Sequence, residues 1–342
     1  MEAELGFSGS GILFQAQHLV LPRRALIKVV HSAFAAMQPY RVQTLREACI
    51  LEAIAHPGVP IVYESGILRD RRPWFAFEWL VGPTLEDRLA PGPMSVIEVA
   101  GLLRDLADIL EHAHRRGVIY RGLRPDRVVI ATERRTPLCI PDWSEAITHD
   151  ATAHAPWAVS EEMRDYLAPE LAAQASGGHA RIDDRADMFA LGVIAYRALS
   201  GRLPFVHGHD AASYVPVRAQ RPDTPLMLAA LIDSLLALEP CDRPGASSVR
   251  GDLDWLFEML PELQSRAGSP RAGAGSPRAG AGSPWAGAEG SWAEMAGRPE
   301  DIVHLQQGRL RRPRWTPEVR GLEVPLETPH ASVELTEDDL TK

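Results

Sequence analysis

The order of two hydrophobic patterns along the chain constrains its fold more than any other feature of the sequence. In the first quarter apolar residues alternate with others, as at Ile12, Phe14 and Ala16, which predicts strands. In the body they recur every three or four positions, most clearly over 95–116, where Ser95 and Glu98 fit a helix capping box. Strands followed by helices predict an α+β protein with a small β-rich lobe, carrying one long helix, and a larger helical lobe.

The same patterns set approximate bounds for the other elements. Strands are expected over 5–30 and 61–80, with a break at 69–73. Further helices are expected at 40–54, 187–199, 226–238 and 249–260. We therefore expect residues 1–80 to form the small lobe and residues 81–262 to form the helical lobe.

The composition changes abruptly after Pro261. A seven-residue unit, Ala-Gly-Ser-Pro-(Arg/Trp)-Ala-Gly, occurs three times between Ala267 and Gly287. Sequence rich in Gly, Ser and Pro buries too little apolar surface to offset the entropy of ordering, which predicts a disordered linker over 263–297. Residues 298–342 run from basic to acidic, a pattern typical of a mostly disordered, solvated tail; docking of this tail is the alternative.

Charge, cysteine content and hydropathy exclude several classes of protein. The 342 residues carry a formal net charge of −9, which disfavours general nucleic-acid binding because that function needs basic surface. Cys49, Cys139 and Cys241 fit neither a disulfide framework nor a zinc site, and they indicate a reducing compartment. The acidic start of the chain does not resemble a signal peptide, and the apolar stretch 188–199 is too short to cross a bilayer. We expect a cytoplasmic protein that binds neither membranes nor nucleic acid.

Glycines near the start of the chain, followed by a lone lysine, suggest phosphate binding. Gly6, Gly9 and Gly11 lie in strand-like sequence, where backbone N–H groups can approach phosphate oxygens closely. Lys28 stands in an apolar strand, and Glu47 on the next predicted helix could pair with it. The structural alternatives are a glycine-rich hairpin and a lysine that protects a sheet edge.

From residue 5 to about 260 the chain resembles the eukaryotic-type (Hanks-type) serine/threonine protein kinases of bacteria. The motifs that carry this resemblance are the glycine-rich loop, Ala25-Leu26-Ile27-Lys28, Arg46-Glu47-Ala48, Phe77-Glu78-Trp79-Leu80, Ala168-Pro169-Glu170, Asp187 and Arg243. The resemblance implies a two-lobed protein-kinase-like fold with ATP as its ligand. It assigns nucleotide binding to Gly6, Gly9, Gly11, Lys28, Glu47, Glu78 and Leu80, and structural roles to Glu170, Asp187 and Arg243.

The departures from the family pattern lie at the reacting centre. The family's catalytic aspartate is replaced by Gly122, which cannot accept the proton of a substrate hydroxyl. Its metal-binding asparagine is replaced by Arg127, whose guanidinium repels a cation, so Asp142 alone remains as a metal ligand and the magnesium site is weakened. Loss of a general base alone costs about 10²–10⁴ in rate. Asp126 and Glu145 are the acids that could substitute.

The sequence leaves nucleotide binding open between two interpretations. Arg124 and Arg127 could neutralise phosphates directly and allow binding that needs little or no metal. Leu26 and Phe77 add volume where the adenine of ATP would lie, which favours an empty cleft in which Lys28 forms a purely structural ion pair.

Three functions remain compatible with these residues. The first is a pseudokinase that acts in signalling as a scaffold or regulatory module and binds a protein partner. The second is a weak or unconventional serine/threonine kinase that transfers the γ-phosphate of ATP. The third is an adaptor that accepts phosphate from another kinase at hydroxyls such as Ser269, Ser276, Ser283, Thr148, Thr152 and Ser160.

Overall fold

A computed structural model describes residues 3–9, 11–131, 134, 136–148, 159–178, 180–205 and 214–267. The predicted tail and most of the predicted linker lie outside the described residues. The last described helix runs to Ala267, five residues beyond the lobe boundary expected at residue 262. The apolar periodicity that predicted a helix up to residue 260 therefore understates its length, because polar residues continue the last turns.

The small lobe is a five-stranded antiparallel sheet with one long helix. Its strands are β1 (Ala3–Ser8), β2 (Gly11–Gln17), β3 (Arg24–Val30), β4 (Val62–Ile67) and β5 (Pro73–Glu78), in the spatial order β1-β2-β3-β5-β4. Helix α1 (Gln38–Ile54) connects β3 to β4 and ends at Ala55, whose φ of 47° is left-handed. Lys28 in β3 lies opposite Leu13 of β2 and Phe75 of β5, which places it in the middle of the sheet.

Both faces of the central strands are buried, which explains the nearly continuous apolar run in β5. Phe75 and Phe77 point to the face that packs on α1 and joins the main core. Trp74 and Ala76 point to the opposite face and form a smaller core with Ile27 of β3. Because successive side chains of a strand alternate between faces, a strand covered on both sides has few positions exposed to solvent and reads as an apolar run.

The helical lobe begins with α2 (Leu85–Leu89) and α3 (Val96–His114). The predicted capping box is confirmed: the Ser95 hydroxyl accepts from the N–H of Glu98, and the Glu98 carboxylate accepts from the N–H of Ser95. The later helices are α4 (Glu161–Arg164), α5 (Pro169–Ala175), α6 (Arg185–Ser200), α7 (Val217–Gln220), α8 (Leu226–Leu235) and α9 (Ala246–Ala267). Helix α3 packs against α6 and α9, and these three helices form the centre of the lobe.

Two short strand pairs lie on the side of the helical lobe that faces the sheet. They join β6 (Val118–Ile119) to β9 (Ile147–Thr148) and β7 (Val129–Ile130) to β8 (Leu138–Cys139). The chain segments between these strands carry the residues singled out at the reacting centre. Among the described residues, no helix is long and apolar enough to cross a membrane.

Candidate nucleotide cleft

A buried ion pair links the sheet to α1. The Nζ of Lys28 lies 2.7 Å from Oε2 of Glu47, and the side chains of both residues are almost fully buried. Burial lowers the pKa of Lys28, but the neighbouring carboxylates of Glu47 and Asp142 outweigh it and raise the pKa overall. The lysine is therefore held in its charged form with α1 drawn against the sheet.

Asp142 is surrounded by donors on both of its carboxylate oxygens. Its Oδ1 lies 3.8 Å from Nζ of Lys28 and accepts from the N–H of Ser144 at 2.9 Å. Its Oδ2 accepts from the Ser8 hydroxyl at 2.7 Å and from Nη1 of Arg127. Burial raises the pKa of Asp142, but Lys28 and Arg127 outweigh it and hold the pKa well below the usual range of an aspartate.

The glycine-rich turn lies close to this charged cluster. Ser8 accepts a hydrogen bond from Lys28 at 3.0 Å while donating to Asp142, so its hydroxyl bridges the two charges. Gly9, with a φ of 56°, lies so near Ser144 that a β-carbon on it would be 3.1 Å from that side chain. A β-carbon on Gly11 would come within 2.8 Å of the Lys28 side chain. The lack of a β-carbon at Gly9 and Gly11 therefore lets the turn lie directly against Ser144 and Lys28.

Gly122 is covered by an acidic neighbour. A β-carbon on Gly122 would lie 3.3 Å from both Cβ and Cγ of Glu145. Burial raises the pKa of Glu145, and the nearby Asp142 raises it further. Glu145 is one of the two acids identified from the sequence as possible substitutes, and its side-chain stem lies against Gly122.

The two arginines proposed to neutralise phosphates have different partners. Arg124 pairs through Nε with both oxygens of Asp126, at 2.7 and 2.9 Å. Arg127 instead faces the cleft and binds Asp142. Burial lowers the pKa of Arg127, but Asp142 outweighs it and raises the pKa overall. Only Arg127 is therefore placed at the charged cluster, where it is paired with Asp142.

The donor set around Asp142 does not fit a magnesium ion. Mg²⁺ requires oxygen ligands in near-octahedral geometry. Here the Asp142 carboxylate accepts hydrogen bonds from the Ser8 hydroxyl, the backbone N–H of Ser144 and the Arg127 guanidinium. The position of the family's second metal ligand, an asparagine, is occupied by the cation Arg127, whose guanidinium therefore lies where that ligand would be expected.

Side chains of the segment between the lobes are also bonded to, or packed against, other parts of the chain. The Glu78 carboxylate accepts from Arg134 and, at 3.3 Å, from the N–H of Ile61. Phe77 is buried and packs against Phe75 with ring centroids 5.1 Å apart. Leu26 lies directly opposite Phe77 in the sheet, and Leu80 is half-buried. Two bulky side chains thus lie side by side at the positions that the resemblance assigns to the adenine side of the cleft.

The supporting residues of the helical lobe form two hydrogen-bond networks. Both Nη atoms of Arg243 bind the Glu170 carboxylate, at 2.6 and 2.9 Å. Asp187 accepts from the backbone N–H groups of Tyr120 and Arg121, at 2.8 and 2.7 Å, and from His114 at 2.8 Å. Asp187 therefore holds the backbone immediately before Gly122 in place.

Sequence reasoning missed two polar contacts that close the cleft. Ser8 stands where the family's glycine-rich loop has its second glycine, and its hydroxyl bridges Lys28 and Asp142. This substitution was the only sign of the bridge in the sequence. Gln43 of α1 donates to the backbone carbonyl of Ser144, and nothing in the local sequence indicated that contact. Both bonds link the small lobe to the segment that follows β8.

A second group of polar side chains, His56, Asp108 and His112, lies close enough to suggest a metal site. However, Nδ1 of His56 accepts from the N–H of Gly58 at 2.9 Å, so the neutral ring carries its proton on Nε2 and donates it to Asp108 at 2.9 Å. Asp108 also pairs with Arg250 at 3.2 Å. Both ring nitrogens of His56 and the carboxylate of Asp108 are thus engaged by other groups of the chain, so we interpret this cluster as structural.

A β-rich lobe and a helical lobe that enclose a charged cleft in this way define the protein kinase fold. The family model described as the protein kinase domain matches residues 1–253. This chain belongs to the protein kinase family, and the resemblance and fold class expected from its motifs are confirmed.

Curated relatives and solved structures point to bacterial members of the family. The serine/threonine-protein kinase pkn2 of Myxococcus xanthus is 31% identical over 295 residues, covering 79% of this chain and 34% of pkn2. Pkn1 of the same organism is 30% identical over 236 residues, covering 68% of this chain and 33% of Pkn1. The crystal structure of the Mycobacterium tuberculosis PknI kinase domain matches with a TM-score of 0.53 at 27% identity, covering 75% of this chain and 94% of that domain. The chain thus spans about a third of the length of the two curated relatives.

Proposed function

We propose that this chain is a pseudokinase that acts in signalling as a scaffold or regulatory binding module. The observation that carries the proposal is the bond between the Arg127 guanidinium and the Asp142 carboxylate. Phosphoryl transfer depends on positioning and on metal ions that neutralise developing charge. Arg127 is a fixed cation at the metal position and disfavours a metal ion there. Gly122, at the position of the catalytic aspartate, has no side chain to position the substrate hydroxyl.

The retained architecture supports a role in binding a protein partner. The Glu170–Arg243 pair and the Asp187 network keep the helical lobe in the family's shape, although neither contributes a reacting group. Function in a kinase fold resides in sites placed on the scaffold. A scaffold that keeps its shape while its reacting centre is altered is typical of a protein used for recognition.

The cleft geometry leads us to expect weak ATP binding that does not depend on magnesium. The phosphates must displace the Ser8 hydroxyl from Lys28, which lowers affinity because existing bonds are exchanged for new ones. Arg127 supplies the positive charge that the metal would otherwise bring.

The first experiment measures phosphoryl transfer from radiolabelled ATP by the purified full chain, with the Lys28→Ala variant as control. We expect no transfer above that of the control. Circular dichroism of both proteins establishes that each is folded. Robust transfer that disappears in a folded Lys28→Ala variant would contradict the proposal.

The second experiment is a thermal-shift titration with ATP, in EDTA and in magnesium. A ligand that binds only the folded state raises the melting temperature, so the shift reports affinity. We expect a small shift that is equal in the two buffers and larger for Ser8→Gly, which has no hydroxyl to displace. A shift that appears only with magnesium would show that Arg127 does not replace the metal.

A weak kinase is the second candidate, and one observation favours it. Glu145 lies against Gly122, where a carboxylate could accept the proton of a substrate hydroxyl. Burial raises the pKa of Glu145, as expected of a general base. If transfer is detected, Glu145→Gln should abolish it, whereas Asp126→Asn should leave it unchanged.

A further inference from the structure

Helices α8 and α9 leave an apolar groove open on the surface of the helical lobe, away from the cleft. The groove has a volume of about 310 Å³, and its main apolar lining residues are Met227, Leu228, Leu231, Pro244, Leu253 and Leu256. On the same two helices, Leu226 and Trp255 are 70% and 48% exposed. A cluster of exposed apolar side chains indicates a surface that something covers.

The exposed positions of α9 near the groove and further round the helix are acidic. Asp252 lines the groove, Asp254 and Glu258 are exposed on another side of the helix, and within the described part of the chain none of the three forms an ion pair. Arg250, a cation of the same helix, is engaged by Asp108 at 3.2 Å and by Glu111 at 2.9 Å. Asp254 and Glu258 are four residues apart, a spacing at which like charges destabilise a helix. A cationic partner would therefore relieve repulsion as well as gain attraction.

One segment of the chain itself combines the matching chemistry. Residues 309–315 read Arg-Leu-Arg-Arg-Pro-Arg-Trp, with four arginines and two large apolar side chains within seven positions. Arginine is suited to this contact because its planar fork binds carboxylates in pairs and stacks on aromatic rings such as Trp255. Leu310 and Trp315 supply the apolar groups for the groove.

We propose that residues 309–315 dock in cis on the groove between α8 and α9, with their arginines paired with the exposed carboxylates of α9, first of all Asp252 in the groove itself. The proposal is independent of catalysis and of nucleotide binding. It gives the basic run of the tail a binding site on its own kinase-like domain.

The connecting chain is long enough for this contact. Positions 268–308 are 41 residues, which reach about 130 Å when fully extended. The groove lies 11 to 14 residues before Ala267 on α9, about 20 Å along the helix axis. A tethered segment meets its site at an effective concentration on the order of millimolar, so modest contacts suffice.

The scarcity of lysine in this chain provides a direct test. The chain has only two lysines, Lys28, which is 1% exposed, and Lys342. A full-length Arg312→Lys variant therefore carries one new amine at an almost unchanged charge. A carbodiimide joins amines to carboxylates in direct contact, and mass spectrometry identifies the linked peptides. We expect Lys at position 312 to link to Asp252, Asp254 or Glu258 within a single chain.

Matched variants separate docking from random encounters. Arg320→Lys places the amine outside the segment and should not link to α9. Adding Trp315→Ser to Arg312→Lys leaves the amine in place but removes an apolar anchor, and should reduce the link roughly tenfold, as loss of one buried aromatic contact does. About 1 M salt should also reduce it, because charges are then screened within about 3 Å.

Three results would overturn the proposal. Links from position 312 to the acidic residues 323–339 would show that the tail pairs with itself. Links spread evenly over acidic surface residues would show that the tail has no fixed site. Links found only between differently isotope-labelled chains would place the contact between two copies of the protein.

Discussion

The Cβ and Cγ atoms of Glu145 both lie 3.3 Å from the position that a β-carbon on Gly122 would occupy. The family's catalytic aspartate would therefore lie tightly against the aliphatic stem of Glu145. The two positions are linked: glycine at 122 leaves room for this stem, and a side chain at 122 would require Glu145 to shift by a few tenths of an ångström.

This relationship predicts that restoring the family residue does not restore the family chemistry. Gly122→Asp should lower the free energy of unfolding by about 1–3 kcal/mol, the usual cost of overpacking a tight site. It should also remain unable to transfer phosphate, because Arg127 still holds Asp142. Urea denaturation and the radiolabel assay measure the two effects.

The control for this variant is the double change Gly122→Asp/Glu145→Ala. Removing the Glu145 carboxylate and stem opens the space, so the double variant should recover part of the lost stability. Equal destabilisation in the single and double variants would mean that Glu145 is not the obstacle.

The Lys28–Glu47 pair should be far more important to stability than an exposed ion pair. Lys28→Met leaves the Glu47 carboxylate buried without its partner, and breaking such a pair costs about 3–5 kcal/mol. Lys28→Met/Glu47→Gln should regain part of this loss because the uncompensated charge is gone. Chemical denaturation of both variants tests this, and a double variant no more stable than the single would refute it.

Arg127→Asn should convert the cleft to magnesium dependence. The change removes the cation that occupies the metal position and restores an oxygen ligand beside Asp142. We expect the ATP-induced shift in melting temperature to become larger in magnesium than in EDTA. Arg124→Lys, which leaves the Arg127–Asp142 bond intact, is the matched control and should show no difference between the two buffers.

Asp142 should make the protein sensitive to acid. Lys28 and Arg127 hold its pKa in the folded state well below the value of about 3.9 expected in the unfolded chain. Its contribution to stability is therefore complete above that value and is lost as the pH falls below it toward the folded pKa. The stability difference between wild type and Asp142→Asn, measured by urea denaturation, should shrink between about pH 6 and about pH 3. A difference that stays constant over this range would contradict the assigned partners.

Most of the fold could be predicted because its signals are local. The helix after Ser95 begins at a capping box, and the observed α3 starts one residue later as expected. Helix ends were less accurate: α8 stops at Leu235, three residues before the predicted end, because apolar residues continue into the turn that follows. Apolar periodicity reports burial, and buried residues also occur outside helices.

The site was predictable only in part because its decisive contacts join distant parts of the chain. Motif order placed Lys28 and Glu47 in reach of each other, and the structure brings them to 2.7 Å. No motif indicated that Ser8 would bridge Lys28 and Asp142, a contact between residues 134 positions apart. Such contacts depend on how the two lobes meet, which a local pattern does not encode.

The Glu170–Arg243 pair lies within the helical lobe and shares no hydrogen bond with Lys28, Arg127 or Asp142 in the described residues. Substitutions at widely separated sites act almost additively on folding energy. Selection could thus rewrite the reacting centre one residue at a time without endangering the scaffold. A change that disrupts Arg243 is different in kind, because it should destabilise the helical lobe on which any ligand of the cleft depends.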